Sequence, residues 1–152
     1  MAGSLGPTTD TGPTYDRRMT SELTPYLAVA DARRAIDWYQ EALGAEVVHE
    51  PIVMPDGRVG HVELAVDGGR WMMADEFPDL HVEAPAPGRG AAVTLHLTVS
   101  DVDALVARAV GAGAVLDRGP EDSPPAGRVA VVRDPFGHRW LLDQPRPGFA
   151  QP

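Results

Sequence analysis

The chain has 152 residues, no cysteine and a formal net charge of -9 at pH 7, and this length suits one domain or two very small fused ones. Without cysteine it forms no disulfide, thiolate zinc site or iron–sulfur cluster, which fits a reducing cytoplasm. The acidic balance argues against nucleic acid or an anionic membrane as a partner, because both would repel the chain. The sequence holds no apolar run long enough for a membrane span and no signal-peptide core. We therefore expect a cytoplasmic protein that binds a small molecule or another protein.

The first half of the chain is predicted to form a tail followed by one structural module. Residues 1–20 are rich in Gly, Pro, Thr and Ser, so we expect a flexible tail. The stretch LTPYLAVAD predicts a strand ending at Asp31, a good helix N-cap. Apolar residues at helical spacing in ARRAIDWYQEALG predict a helix closed by Gly44. AEVVHEPIVM, RVGHVELAV and RWMMAD predict three strands separated by the turns PDG and DGG, so residues 21–76 form a βαβββ module.

The same order of elements returns after a linker. Residues 77–91 contain PAPGRG and show no clear period, as expected of a linker. VTLHLTVSD then predicts a strand, and DVDALVARAVGAG a helix capped by Asp101 and closed by Gly113. AVLDRG, RVAVVRD and HRWLLDQ predict three more strands, joined by the turns SPPAG and DPFG. Residues 92–145 thus form a second βαβββ module.

An internal repeat supports the two modules. Residues of the first module recur 70 positions later, and the matched pairs are Thr24 and Thr94, Leu27 and Leu97, Val29 and Val99, and Asp31 and Asp101. The stretch GRWMM recurs 69 positions later as HRWLL. The predicted fold class is α+β, with both modules in one domain that spans 21–152.

The repeat carries a resemblance to a known group of proteins. Two tandem βαβββ modules, the opening YLAVAD followed by AIDWYQEALG, and the turn DPFGHRW before the last strand resemble the vicinal oxygen chelate superfamily. That superfamily includes glyoxalase I, bleomycin-resistance proteins and extradiol dioxygenases, and the resemblance covers residues 23–144. It implies curled mixed sheets paired around a cavity, and a homodimer. Because one scaffold hosts many chemistries, it implies the fold and leaves the reaction open.

The resemblance also implies positions for a divalent metal. Enzymes of the superfamily hold the metal with His, Gln and Glu side chains from the first and last strand of each module. By register these positions fall on Thr24, Met72, Thr94 and Leu141. Neither hydroxyls nor apolar side chains bind zinc, nickel, iron or manganese well, so we expect no metal and no other cofactor. An alignment shifted by two residues brings His96 to the ligand position of the second module, which still leaves too few donors.

Alternation along the strands divides their side chains between the helices and the cavity. His61 and Glu63 lie side by side on the cavity side of the third strand, and a carboxylate beside an imidazole suits general acid or base chemistry. We take both as catalytic candidates. The ligand-binding candidates lie on the same side, and they are Tyr26, Arg70, Met72, Thr94, His96, Arg133, Arg139 and Leu141. Tyr26 is the aromatic residue among them that would stack on a planar molecule.

Each candidate also has a structural interpretation. His61 and Glu63 would then be an exposed cross-strand pair at a rim, and His96 a buried, hydrogen-bonded histidine. The three arginines would neutralise the surplus of acidic residues. His49 and His81 fall in an edge strand and in the linker, and we assign them no specific role.

Three functions remain open. The first is a metal-independent protein that binds or sequesters an aromatic or cationic small molecule in a dimer cavity, in the manner of bleomycin-resistance proteins. The second is a lyase, isomerase or dioxygenase whose metal lies in a displaced site built from His61, Glu63 and His96. The third is a regulatory or scaffolding protein with a vestigial cavity. The residues do not name the ligand.

Overall fold

Residues 21–148 are described by a computed structural model, and residues 1–20, for which we expect a tail, lie outside the described part. The first module consists of β1 (Tyr26–Val29), α1 (Ala32–Leu43), β2 (Glu46–Val53), β3 (Val59–Val66) and β4 (Gly69–Asp75). The second consists of β5 (Thr94–Thr98), α2 (Val102–Gly111), β6 (Val115–Ser123), β7 (Gly127–Arg133) and β8 (Arg139–Pro145). Both modules follow the predicted order of one strand, one helix and three strands.

Each module folds into one four-stranded mixed sheet. The strand order is β1-β4-β3-β2 in the sheet of the first module (sheet 1) and β5-β8-β7-β6 in that of the second (sheet 2). The first and last strands of a module pair in parallel, and the other neighbours pair antiparallel. Short turns join the three strands after each helix, as antiparallel neighbours allow. The predicted α+β fold with tandem βαβββ modules is confirmed.

Both helices begin at the residues that the sequence indicates. The side chains of Asp31 and Asp101 accept hydrogen bonds from the backbone N–H groups of Arg34 and Ala104, at 3.0 Å each, and so satisfy donors that a helix leaves free in its first turn. Gly44 ends α1 with a φ of 68°, a left-handed conformation that glycine adopts without strain. Within the described residues no helix is long and apolar enough to cross a membrane.

Alternation along the strands gives each sheet a helix-side face and an outer face. On the helix side, Leu64, Met73 and Leu142 are fully buried and join residues of both helices in one core. This core spans the two modules, because Trp71 of β4 and Trp140 of β8 pack edge to face with ring centroids 5.3 Å apart. The modules are therefore joined through their helix-side faces, and the outer faces take no part in the shared core.

A buried carboxylate, that of Asp134, ties the second module to the first. Asp134 is 5% exposed, and its Oδ2 accepts hydrogen bonds from the hydroxyl of Tyr39 in α1 at 2.5 Å and from Nε1 of Trp140 at 2.9 Å. Its Oδ1 accepts from the backbone N–H groups of Phe136 and His138, at 2.9 Å each. These four donors offset the cost of burying the carboxylate, and two of them hold the DPFG turn in shape.

The environment of Tyr39 keeps its phenol protonated. Burial, and after it the neighbouring charge of Asp134, raise the pKa of Tyr39 well above its usual value, because both disfavour a second negative charge. The ring also packs edge to face on Trp71, with centroids 5.4 Å apart. Trp38, the preceding residue of α1, donates from Nε1 to the carbonyl oxygen of Ala112 at 2.8 Å. Adjacent residues of one helix thus both contact the second module.

Two segments differ from the expectation. β6 runs to Ser123 rather than ending near Gly119, because a register shift between Arg118 and Glu121 lets the strand bend and continue beside β7. The linker contains a short 3-10 helix at Pro78–Leu80, which its lack of periodicity did not predict.

Replacing Tyr39 by phenylalanine keeps the ring and removes one hydrogen bond to the buried carboxylate. We expect the free energy of unfolding to fall by about 1.5–3 kcal/mol, since bonds to charged groups are the strong ones; urea denaturation measures it. Because the pKa of Tyr39 is raised in the folded state, its contribution is complete below its ordinary pKa and declines as the pH rises above it.

The matched control for this change is Asp37→Asn, at an exposed position of the same helix. Its stability should stay within about 0.5 kcal/mol of the wild type. Equal stabilities of the Tyr39→Phe and Asp37→Asn variants would contradict the tie through Asp134.

Candidate functional site

The outer face of sheet 1 brings together side chains from three adjacent strands. In register, Tyr26 of β1 lies beside Met72 of β4, and Glu63 of β3 lies on the other side of Met72. His61 precedes Glu63 by two residues and Arg70 precedes Met72 by two, so both point to the same side. The predicted residues of the first module therefore share one surface.

A hydrogen bond joins Tyr26 to His61 on this surface. The hydroxyl oxygen lies 2.8 Å from Nδ1 of His61, and the hydroxyl donates to the carbonyl oxygen of Gly60 at 3.0 Å. A phenol has one hydrogen, so when the hydroxyl donates to Gly60 its oxygen accepts from Nδ1–H of His61, the tautomer that leaves the lone pair on Nε2. Partial burial raises the pKa of Tyr26, yet 50% of the residue is exposed. The site thus presents an open aromatic ring beside an oriented imidazole.

Glu63 is a buried carboxylate surrounded by three basic side chains. It is 8% exposed, with Oε1 3.8 Å from Nε2 of His61 and Oε2 3.8 Å from Nε2 of His49 and 3.9 Å from Nη1 of Arg70. These separations exceed the length of a hydrogen bond, and within residues 21–148 Oε2 has no hydrogen-bond partner. The interpretation as an exposed rim pair is therefore wrong for Glu63, and Oε2 is an enclosed acceptor without a hydrogen bond, beside His49 and Arg70.

An open groove of about 640 Å³ lies at Glu63. Its lining comes from β2 and β3, namely Val48, His49, Glu50, Ile52, His61 and Glu63. Sequence reasoning missed His49, because register shifts in β2 bring it opposite Glu63 and a bulged strand does not keep simple alternation. The signal that could have found it is Pro51, since proline inside a strand marks an edge or a bulge.

The outer face of sheet 2 holds the predicted residues of the second module. His96 of β5 pairs with Leu141 of β8, and Thr94 pairs with Arg139. The side chain of His96 is 44% exposed, and its Nε2 lies 3.6 Å from the buried carboxylate of Asp143, so the interpretation as a buried histidine is wrong. Arg139 donates from Nη1 to the hydroxyl oxygen of Thr94 at 2.6 Å.

The three candidate arginines differ in their partners. Arg133 donates from Nε and Nη2 to the two carboxylate oxygens of Asp117, at 2.7 and 2.9 Å, as the neutralising interpretation expects. Arg70 lies at ion-pair distance from the buried Glu63. Arg139 has a hydroxyl partner instead of a carboxylate. The structure therefore separates Arg139 from the other two.

The chemistry of the side chains tests the metal positions that the resemblance implies. In sheet 1, strand pairing places the phenol of Tyr26 beside the thioether of Met72. In sheet 2, it places the imidazole of His96 beside the alkyl chain of Leu141. These pairs correspond to the alignment shifted by two residues from Thr94. A single imidazole is the one strong donor among the four side chains, so they do not fit a divalent metal.

Within residues 21–148 the three side chains of the displaced metal site, His61, Glu63 and His96, are not brought together. His61 and Glu63 lie on the outer face of sheet 1, whereas His96 lies on sheet 2 beside Asp143. Among the described residues, no three His, Asp or Glu side chains are placed to hold a metal ion. The reason is that the sheets share a core through their helix sides and present their outer faces separately.

Known proteins share both the sequence pattern and the fold of this chain. The family model of the Glyoxalase/Bleomycin resistance protein/Dioxygenase superfamily matches residues 21–142. The uncharacterized protein Rv0887c of Mycobacterium tuberculosis strain H37Rv is 39% identical over 137 residues, which cover 88% of this chain and 80% of the relative.

Two solved structures show the same architecture. TioX from Micromonospora sp. ML1 has a TM-score of 0.64 and 27% identity, covering 84% of this chain and 100% of TioX. TnmS3, an antibiotic binding protein from Streptomyces sp. CB03234, has a TM-score of 0.57 and 27% identity, covering 84% of this chain and 99% of TnmS3. The chain belongs to the Glyoxalase/Bleomycin resistance protein/Dioxygenase superfamily.

Proposed function

We propose that the chain binds a small planar molecule, aromatic or cationic, on the outer face of sheet 1, and that it does so without a metal. The observation that carries the proposal is Glu63, a buried carboxylate in an open groove, with one oxygen that accepts no hydrogen bond within the described residues. A ligand N–H or O–H group that displaced the guanidinium of Arg70, now 3.9 Å from the enclosed Oε2, would supply the missing donor. The exposed ring of Tyr26 would stack on the body of the ligand.

The surface around Glu63 supports a ligand with a flat apolar body. Tyr26 is 50% exposed and Ile52 is 58% exposed, and Met72 lies between Tyr26 and Glu63 in the sheet. Small-molecule sites typically combine apolar walls with a few placed polar groups. Stacking on a tyrosine costs little side-chain entropy, which favours a planar ring over a flexible chain.

The second module indicates that Glu63 is not required by the fold. Val131 holds the corresponding place there, since it pairs with Leu141 as Glu63 pairs with Met72, and Val131 is 2% exposed. A buried carboxylate with an unsatisfied oxygen costs stability that a valine does not. A ligand that bonds to Glu63 would account for its presence.

Electrostatics favours a cation or a strong donor as the group that meets Glu63. The chain carries a net charge of -9, which attracts cationic molecules at long range. Arg70, the charged neighbour of Glu63, has a side chain that is 49% exposed and is free to turn toward solvent. A ligand amine would then take its place beside the carboxylate.

A second copy of the chain would complete the cavity. The groove is lined by residues of sheet 1, and the outer faces lie outside the shared core. A homodimer that lays the outer face of one sheet over that of another would enclose the ligand. The likeness to TnmS3, an antibiotic binding protein, supports sequestration as the purpose of such a cavity.

The hydrogen bond between Tyr26 and His61 favours a second candidate, a lyase or isomerase. With Nδ1–H donated to Tyr26, His61 would accept a proton from the ligand at Nε2, which lies 3.8 Å from Glu63. Glu63 would then stabilise the imidazolium that forms. This chemistry uses the two predicted catalytic residues and no metal.

A planar aromatic cation such as proflavine should stabilise the protein in a thermal-shift assay. At about 100 times its Kd a ligand adds about 2.7 kcal/mol to the stability. Tyr26→Ala should raise the Kd about tenfold through lost stacking, whereas Tyr26→Phe keeps the ring and most of the affinity. Recovery of the probe unchanged supports binding, and a chemically altered product supports the enzyme. An affinity that is the same in Tyr26→Ala as in the wild type would contradict the site.

Replacing Glu63 by valine should raise the stability while abolishing proflavine binding. The gain in unfolding free energy should be about 1 kcal/mol or more, because an apolar side chain replaces a buried carboxylate; urea denaturation measures it. The matched opposite change is Val131→Glu, which should destabilise the second module. A loss of stability in Glu63→Val would show that the carboxylate serves the fold.

A further inference from the structure

Two arginines stand directly opposite each other on sheet 2. Arg133, the last residue of β7, pairs in register with Arg139, the first residue of β8. Like charges placed opposite each other on neighbouring antiparallel strands destabilise a sheet. The corresponding pair in sheet 1 is Ala65 with Arg70, so the fold does not demand a second arginine at this place.

One carboxylate is shared unequally between these arginines. Asp117 of β6 forms a two-point bond with Arg133, at 2.7 and 2.9 Å. Arg139 donates to the Thr94 hydroxyl at 2.6 Å, and the pKa of Asp117 is lowered first by its bond to Arg133 and only last by the charge of Arg139. The three charged side chains therefore carry one net positive charge, on a protein whose own net charge is -9.

The guanidinium of Arg139 is held in one orientation, and one of its nitrogens donates to a side chain of the described residues. Thr94 lies on β5, the neighbouring strand, and fixes one nitrogen of the group against the sheet. A guanidinium has five N–H donors in a rigid fork that matches two oxygens of an oxyanion. Leu141 and the buried Val131, which pair with each other, supply an apolar floor next to it.

We propose that the outer face of sheet 2 holds an oxyanion subsite, centred on Arg139 and supported by Arg133 and Thr94, that takes the carboxylate or phosphate of a small organic molecule. Binding would relieve the repulsion between the two arginines and fill the free donors of Arg139. The inference rests on the proposed function only in treating the outer faces as ligand-binding surfaces. The ligand would then carry an anionic group for Arg139 on sheet 2, or a second, anionic ligand would bind there, in contrast to the donor group that Glu63 would accept on sheet 1.

Calorimetric titration at low salt tests the subsite, with benzoate and inorganic phosphate as separate probes. Wild-type protein should bind at least one of them, and added salt should weaken the binding. A preference for benzoate indicates an organic carboxylate resting on the apolar floor, and a preference for phosphate indicates a phosphorylated ligand. Arg139→Gln should raise the Kd about tenfold, and Arg108→Gln, an exposed arginine of α2, should leave it unchanged.

The melting temperature without ligand gives a second readout. Arg139→Gln should melt at the same or a higher temperature than the wild type, because it removes a like-charge contact. A lower melting temperature would show that the guanidinium supports the fold, and it would overturn the proposal. The proposal would also be overturned if the wild type bound neither benzoate nor phosphate, or if Arg139→Gln bound them as tightly as the wild type does. Proflavine binding without anion binding would contradict the oxyanion subsite alone. Anion binding without proflavine binding would contradict the proposed function alone.

Discussion

The carboxylate of Asp134 is the contact on which the arrangement of the two modules depends. It is buried, and it accepts hydrogen bonds from Tyr39 of the first helix and from Trp140 of the last strand. The same group bonds to two backbone N–H groups of the turn before β8. Because β8 begins directly after that turn, the contact also determines which residues of β8 face outward. The position of Arg139 on the outer face thus depends on a hydrogen bond in the core.

Alternate residues of each strand belong to two different surfaces: one set packs into the core, and the other forms the outer face on which we propose that a ligand binds. In β3, Leu64 is fully buried in the core while Glu63 lies on the outer face, and in β4 Met73 and Met72 are divided in the same way. We therefore expect a change on the outer face to alter the proposed binding with little effect on the packing of the core. This division explains how one scaffold keeps its core while its surface chemistry differs between the two modules. On its outer face, β3 of the first module carries Glu63, whereas β7 of the second module carries Val131.

Local patterns predicted most of the fold. The helix caps, the turns and the faces of the strands depend on residues near one another in the chain, and the 70-residue repeat supplied the architecture. Contacts between distant residues could not be predicted in this way. Tyr39 and Asp134 are 95 residues apart, and neither residue type nor spacing links them. His49 was missed because bulges in β2 shift its register, and only the tertiary structure shows that Glu63 is buried.

The central claim is that a planar ligand binds on the outer face of sheet 1, and neighbouring methionines offer its most direct test. Met72 lies on the outer face between Tyr26 and Glu63, and Met73 is fully buried in the core. Titration of methyl-labelled protein with proflavine, followed by NMR, separates the two residues. We expect a saturable shift of the Met72 methyl signal and a nearly constant signal for Met73. An unchanged Met72 signal under conditions where proflavine raises the melting temperature would contradict the claim.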